Sequence, residues 1–178
     1  PWPREALDEI ARLARRRIVD SRPATAAEAV AESEALVRAL AAALVPVDTD
    51  PVVIRLGGAA LRLRGLVDLG EALRRGGSRL PLSELPAAGD PGSPVDRQVV
   101  ERAVRAELVR VRQAIPDRRE LAAAAPTGYR RALAFLRLAT LELADRVDAL
   151  GWRVVKTPPV LGAAMRLGLV VRARLGLG

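Results

Sequence analysis

The chain has 178 residues, a formal net charge of +8, 50% hydrophobic residues and only 2% aromatic residues. This length suffices for one hydrophobic core without a disulfide or metal staple. The sequence contains no Cys and no His, which excludes disulfides, thiolate chemistry, and the commonest general base and metal ligand. We therefore expect a protein that is not an enzyme, with no catalytic residue, no cofactor and no metal site.

The N-terminal part of the chain predicts two helices. Apolar residues recur at helical spacing over residues 5–19, and Pro23 ends that helix. Thr25 and Glu28 have the spacing of a capping box, which predicts the start of a second helix over 26–45.

The middle of the chain alternates between loop and helix signals. The β-branched run Val52-Val53-Ile54 indicates a short strand or an extended link, and helical spacing returns over 59–75. The pairs Gly57-Gly58 and Gly76-Gly77 are typical of turns or helix caps. Residues 76–94 are rich in Gly and Pro, which predicts a long connecting loop.

The C-terminal part predicts helices over 96–115, 118–125 and 129–150, the last of which is apolar on most sides and therefore expected at the centre. Residues 159–178 are compatible with an apolar helix weakened by glycines, so we expect that helix to need a partner surface and to serve in assembly.

The predicted fold is therefore an all-α bundle of about five to six helices. We expect a single domain over residues 1–178, with N-terminal helices over 1–75, a connecting loop over 76–94 and C-terminal helices over 95–178.

Arginines grouped on helix faces are the strongest candidate binding residues, because guanidinium groups can meet successive phosphates. The alternative is a solvated face whose arginines pair with carboxylates such as Glu101 and Glu107. The predicted nucleic-acid-binding residues are Arg12, Arg15, Arg16, Arg97, Arg102, Arg105, Arg112, Arg130, Arg131 and Arg137.

Positive charge is concentrated in the C-terminal part of the chain. Residues 1–50 hold seven arginines against nine carboxylates, whereas residues 51–178 hold 22 basic side chains against 12 carboxylates. No acidic side chain follows Asp148. This distribution favours an anionic polymer as the partner, with anionic lipid second.

The choice among nucleic acids depends on the aromatic residues. The chain has two Trp, one Tyr and one Phe, too few to form a stacking platform for single strands. We therefore expect contacts to the backbone of double-stranded DNA.

Residues that are unstable at high temperature are nearly absent. The sequence has no Asn, two Gln and one Met, and Lys156 is its one lysine beside 28 arginines. This composition indicates a hyperthermophilic source or a GC-rich genome, and both explanations stay open.

The segment Pro126-Thr127-Gly128-Tyr129 is similar to one near the end of the coat protein of rod-shaped viruses of hyperthermophilic archaea. With its basic helix faces and its glycine-containing apolar tail, the chain resembles the coat (major capsid) proteins of filamentous or rod-shaped viruses of such archaea. The tetrapeptide is four of the 178 residues, and the chain lacks the polar, aromatic-containing N-terminal arm of the rod-shaped members.

The resemblance implies a helical subunit that pairs with itself or with a homologous second coat subunit, forms a filament and wraps double-stranded DNA. It places the protein in a virion, with a lipid envelope as a further partner. The arginine faces would line the DNA channel, and without the arm the grip on DNA would come from the first helix and the face over 97–112.

Two other functions remain open from the sequence. One is a small helical subunit of an RNA-guided or replication complex, and the other is an interaction scaffold that binds no nucleic acid; either would be cytoplasmic. We expect no secretory signal at the start Pro1-Trp2-Pro3-Arg4, because charged amphipathic sequence follows directly.

Overall fold

A computed structural model of the chain describes residues 4–19, 22–44, 49–75, 78–85 and 96–176, without the side chains of 4–6 and 16–19. These residues contain no β-strand, which confirms the all-α class. They form eight α-helices: α1 (Arg4–Val19), α2 (Ala26–Leu44), α3 (Pro51–Val67), α4 (Leu69–Arg74), α5 (Arg97–Ala114), α6 (Arg118–Ala124), α7 (Arg130–Leu150) and α8 (Ala163–Arg174). Short 3-10 helices over Thr127–Tyr129 and Gly151–Val155 precede and follow α7.

The helix count exceeds the expected five to six, partly because the predicted helix over 59–75 is divided. Asp68 ends α3 and begins α4, with backbone angles of φ −89° and ψ 5° that interrupt the helical path. A local change in backbone direction at Asp68 therefore produces two helices where the sequence pattern predicts one.

Side-chain caps determine where several helices begin. Thr25 Oγ1 accepts a hydrogen bond from the Glu28 N–H at 3.2 Å, as the capping-box spacing predicts. The Glu28 carboxylate accepts one from the Ala24 N–H at 2.7 Å, one residue before the Thr25 N–H that a capping box uses. Three carboxylates accept backbone N–H groups two or three residues further on, at 2.7 to 2.8 Å, and so cap α3, α5 and α6: Asp50, Asp96 and Asp117.

Helix α3 corrects two sequence-based expectations. The strand or extended link expected at Val52-Val53-Ile54 is wrong, because the Asp50 cap and Pro51 in the first position start a helix there. The turn or cap expected at Gly57-Gly58 is also wrong, since both glycines lie inside α3. A Cβ at Gly57 would lie 2.6 Å from Val37 Cγ1, so these glycines let α2 and α3 approach closely.

The core is built around α3 rather than α7, which the sequence placed at the centre. Helix α3 packs against α2, α5, α6 and α7, and it contributes Leu56, Leu63 and Leu66, each at most 1% exposed. Helix α7 is buried at four positions on two sides: Thr140, Ala144 and Val147 lie on one side, where Ala144 and Val147 join the main core, and Leu138 packs against α8 on the other. Apolar composition alone overestimated its burial, because its other side chains are only partly buried or are exposed.

The predicted loop over 76–94 is described only at residues 78–85, which contain no helix or strand. Leu80, Pro81 and Leu85 are buried against the helices, and the Leu82 N–H donates to the Pro23 carbonyl oxygen at 2.9 Å. This part of the loop is therefore packed onto the bundle. The pair Gly76-Gly77 and residues 86–94 lie outside the described residues.

A buried ion cluster joins α3, α5 and the loop. Arg62 and Glu107, with side chains 6% and 5% exposed, are 3.4 Å apart, and Arg110 bonds both Glu107 and Glu84 at 2.7 Å. Burial lowers the pKa of Arg62, with Glu107 acting in the opposite direction. Burial also acts to lower the pKa of Arg110, but its hydrogen bonds to Glu84 and Glu107 raise it overall. Arg62 Nε is buried and makes no hydrogen bond to the described residues.

A cavity of about 20 Å³ lies beside this cluster and is lined in part by Ser33, Arg62 and Glu107. Its volume fits one water molecule, which could satisfy the Arg62 guanidinium. The cluster and cavity are thus a structural feature of the interior.

Candidate functional site

The predicted arginine face of α1 is partly neutralised. Arg12 donates a hydrogen bond from Nε to Glu9 Oε2 at 2.7 Å and another from Nη2 to Glu9 Oε1 at 2.5 Å. This hydrogen-bonded pair raises the pKa of Arg12 and lowers the pKa of Glu9. Arg15 is exposed and has no ion pair with any described residue, and the side chain of Arg16 lies outside the described set.

Helix α5 presents its arginines mostly to carboxylates and to Trp152. Arg105 pairs with Glu101 at 3.0 Å, as the solvated-face alternative expects. Arg112 bonds Asp145 and Asp148 of α7, each at 2.9 Å, and these hydrogen bonds raise the pKa of Arg112.

Arg97 and Arg102, which also belong to α5, have different surroundings. Arg97 lies 4.6 Å from the centroid of the Trp152 ring, and Lys156 lies 5.1 Å from the same centroid. The side chains of Arg97 and Lys156 therefore lie over the Trp152 ring, and Trp152 packs against the main hydrophobic core. Arg102 is exposed and has no ion pair within the described part of the chain.

The predicted α7 group separates into two locations. Arg137 is half-buried and donates from Nε to the Pro116 carbonyl oxygen at 2.7 Å, so it joins α7 to the start of α6. Arg130 donates from Nε to the Ala125 carbonyl oxygen at 3.3 Å. Arg130 and Arg131 lie at the N-terminus of α7, away from Arg137.

Arg130 and Arg131 line a groove in which four arginines meet, the other two being Arg118 and Arg174. We call it the arginine groove. Its volume is about 260 Å³, and it lies between the starts of α6 and α7 and the end of α8. Its remaining lining is apolar or small, and no described lining residue is acidic: Leu121, Ala122, Ala125, Ala134, Ala173 and Gly176.

Local sequence explains how these elements meet. Asp117 caps α6, so Arg118 follows at the first helical position. The 3-10 helix over Thr127–Tyr129 continues from Pro126 directly into α7 and places Arg130 and Arg131 in its first turn. Helix α8 packs along α7 through a small apolar cluster that includes Leu138 and Leu169, which brings Arg174 to the groove.

The groove is electrostatically suited to an anion. Four arginines line it, and the N-terminal end of the 21-residue helix α7 adds positive potential, which the C-terminal end of the shorter helix α8 partly offsets. Planar guanidinium groups can make paired hydrogen bonds to phosphate oxygens. The arrangement can therefore bind phosphate groups, and no step of covalent chemistry is implied.

Two of the four groove arginines are among the binding residues predicted from the sequence. Arg130 and Arg131 were predicted, whereas Arg118 and Arg174 were not among the predicted binding residues. The available signals were the position of Arg118 directly after a capping Asp and the location of Arg174 in the tail without acids. Neither signal could show that residues so far apart in the chain meet.

Other candidate sites have little support in the described residues. They contain no group of three or more acidic side chains placed to hold a metal ion. None of their helices is long and apolar enough to cross a membrane.

No known protein family, curated protein or solved structure matches this chain.

Proposed function

We propose that this chain is a non-enzymatic, structural nucleic-acid-binding protein whose arginine groove holds the phosphate backbone. The observation that supports this most is the convergence of Arg118, Arg130, Arg131 and Arg174 with no acidic residue among the described lining. Elsewhere, several exposed arginines already have a carboxylate partner, for example Arg12, Arg105 and Arg112. The groove arginines make no ion pair with a described residue, so an external anion can reach them without breaking one within the described part of the chain.

Double-stranded DNA is the proposed partner. Stacking on single-stranded bases requires open aromatic faces, but Trp152 already has Arg97 and Lys156 over its ring. Tyr129, 43% exposed, lies directly before the groove arginines, but it is a single aromatic side chain, whereas stacking along a strand uses several. Contacts to phosphates therefore account for binding better than contacts to bases.

The narrower proposal is a coat subunit that assembles on DNA in a virion, with itself or a homologous subunit as neighbour. It is supported by the charge distribution and by the segment Pro126–Tyr129, which leads into the groove. Negative-stain microscopy of the protein mixed with duplex DNA tests it: filaments are expected. Isolated particles across salt conditions would contradict assembly while leaving DNA binding intact.

Binding itself is tested by fluorescence anisotropy with a short labelled DNA duplex. The double variant R131Q/R174Q removes two groove charges, and the control R74Q/R75Q removes two exposed charges that pair with Glu71. We expect the groove variant to reduce the slope of log affinity against log salt by roughly two, as for two lost phosphate contacts. The control should keep the slope of the unmodified protein.

Three outcomes contradict the proposal. Equal slopes for the two variants would mean that the groove makes no phosphate contact. Affinity that does not change between about 50 and 200 mM salt would indicate a scaffold that binds no nucleic acid. Preference for single-stranded RNA in competition would favour a subunit of an RNA-guided complex.

A further inference from the structure

The outer face of α8 is apolar and exposed. Leu167 and Val171 are 66% and 47% exposed and lie one turn apart, and Leu175 follows at the same spacing with 68% exposure. Val160, just before the helix, is 72% exposed. Four of the nine large hydrophobic side chains that are exposed in the described residues thus fall between 160 and 175, which is a concentrated patch.

The inner face of α8 is already occupied. Leu169 and Ala173 are buried against α7, with Met165 packed beside them. Among the described elements, α8 packs only against α7. The helix is therefore apolar on both sides, and its outer side has no cover within the described chain.

The charged side chains of α8 are all basic. Arg166, Arg172 and Arg174 are exposed and make no ion pair with a described residue. No acidic side chain follows Asp148 in the sequence. A second copy related by a two-fold axis would bring these arginines against their own counterparts, and like charges oppose such contact.

We propose that the outer face of α8 docks on an anionic lipid surface. Leu167, Val171 and Leu175 enter the boundary between headgroups and acyl chains, while Arg166 and Arg172, which do not line the arginine groove, contact lipid phosphates. Apolar side chains that enter the interface and neighbouring arginines that meet anionic headgroups both contribute to binding at a membrane surface. The twelve-residue helix spans about 18 Å at 1.5 Å per residue, so it lies along the surface.

The first test uses the absence of Cys from the sequence. Val171→Cys introduces a single thiol for a polarity-sensitive fluorophore, and Val109→Cys is the control at an exposed valine on α5. With vesicles of phosphatidylglycerol and phosphatidylcholine, we expect a blue shift for the label at 171 and none at 109. Vesicles of phosphatidylcholine alone should produce no shift at either position.

A second test measures sedimentation with the same anionic vesicles. The variant L167Q/V171Q removes two apolar side chains from the face, and the control L82Q/V109Q removes the same two residue types from other exposed positions. We expect at least about tenfold weaker vesicle binding for the first variant, because each buried Leu or Val contributes appreciably, and little change for the control.

Several results would overturn this proposal. The label at 171 could show no shift with anionic vesicles, or both double variants could keep full binding, and either result would indicate adsorption by charge alone. Equal loss of binding in both variants would mean that the outer face of α8 is not the docking site. A blue shift that appears without lipid and grows with protein concentration would assign the face to a second copy. Because neither glutamine variant changes an arginine, DNA binding should persist in both, and a failure here is distinct from a failure of the groove.

Discussion

Gly70 in α4 lies directly against the carbonyl oxygen of Val155, so that a Cβ at residue 70 would stand 1.9 Å from that oxygen. The contact joins α4 to the 3-10 helix over Gly151–Val155 at the edge of the main core. Only the absence of a side chain allows the two backbones to approach this closely.

Gly70→Ala is expected to destabilise the protein by roughly 1–3 kcal/mol or more, because a backbone atom must move to make room. Gly168→Ala provides the matched control, since a Cβ there has nothing within 4 Å. That change should stabilise α8 by roughly 0.5–1 kcal/mol from helix propensity. Chemical denaturation measures both free energies of unfolding, and changes of the same sign would contradict the described contact.

Removing the Glu107 carboxylate should destabilise the folded protein, because the Arg62 guanidinium would remain buried without its counter-charge. We expect Glu107→Ala to lower the free energy of unfolding by about 3–5 kcal/mol. The control is Glu101→Ala in the same helix, which removes the partner of the exposed Arg105 and should cost about 0–1 kcal/mol. Urea denaturation of both variants checks the difference, and similar costs would show that the buried pair is not coupled.

The Asp117 cap makes the stability of α6 depend on pH. Hydrogen bonds from the backbone N–H groups of Glu120 and Arg119 lower the pKa of Asp117 below its ordinary value of 3.8. A carboxylate with a lowered pKa in the folded state stabilises above 3.8, and this contribution is lost as the pH falls through the lower folded-state value.

Asp117→Asn keeps a good capping side chain without a titrating group. We therefore expect the Tm of the unmodified protein to fall more than that of the variant as the pH is lowered below 3.8. Thermal unfolding followed by circular dichroism across this range measures the difference. Parallel Tm curves would show that the Asp117 carboxylate does not contribute to the cap.

Arginines that are already paired should contribute little to DNA contact. R105Q/R112Q removes two of the sequence-predicted binding residues, both bonded to carboxylates. We expect the salt dependence of duplex binding to keep its slope, because no phosphate contact is lost. A slope reduced as much as in R131Q/R174Q would mean that the α5 face also meets the DNA backbone.

Local sequence information predicted most of the helical structure. The cap at Thr25 depends on residues a few positions apart, and helical spacing reflects which side of each helix is buried. The prediction was wrong at Val52-Val53-Ile54, where the cap at Asp50 and packing in the core outweigh the β preference of branched residues.

The sequence by itself determined the helical class, the absence of Cys and His, and the supply of arginines along the helices. Only the tertiary structure decided which arginines are neutralised and which converge. Arg112 meets Asp145 and Asp148 because α5 packs beside α7, and Arg118 meets Arg174 because α8 folds back along α7. These contacts depend on packing between helices that are distant in the chain. Hydrophobic periodicity and capping residues indicate only where each helix begins and ends and which of its sides is buried.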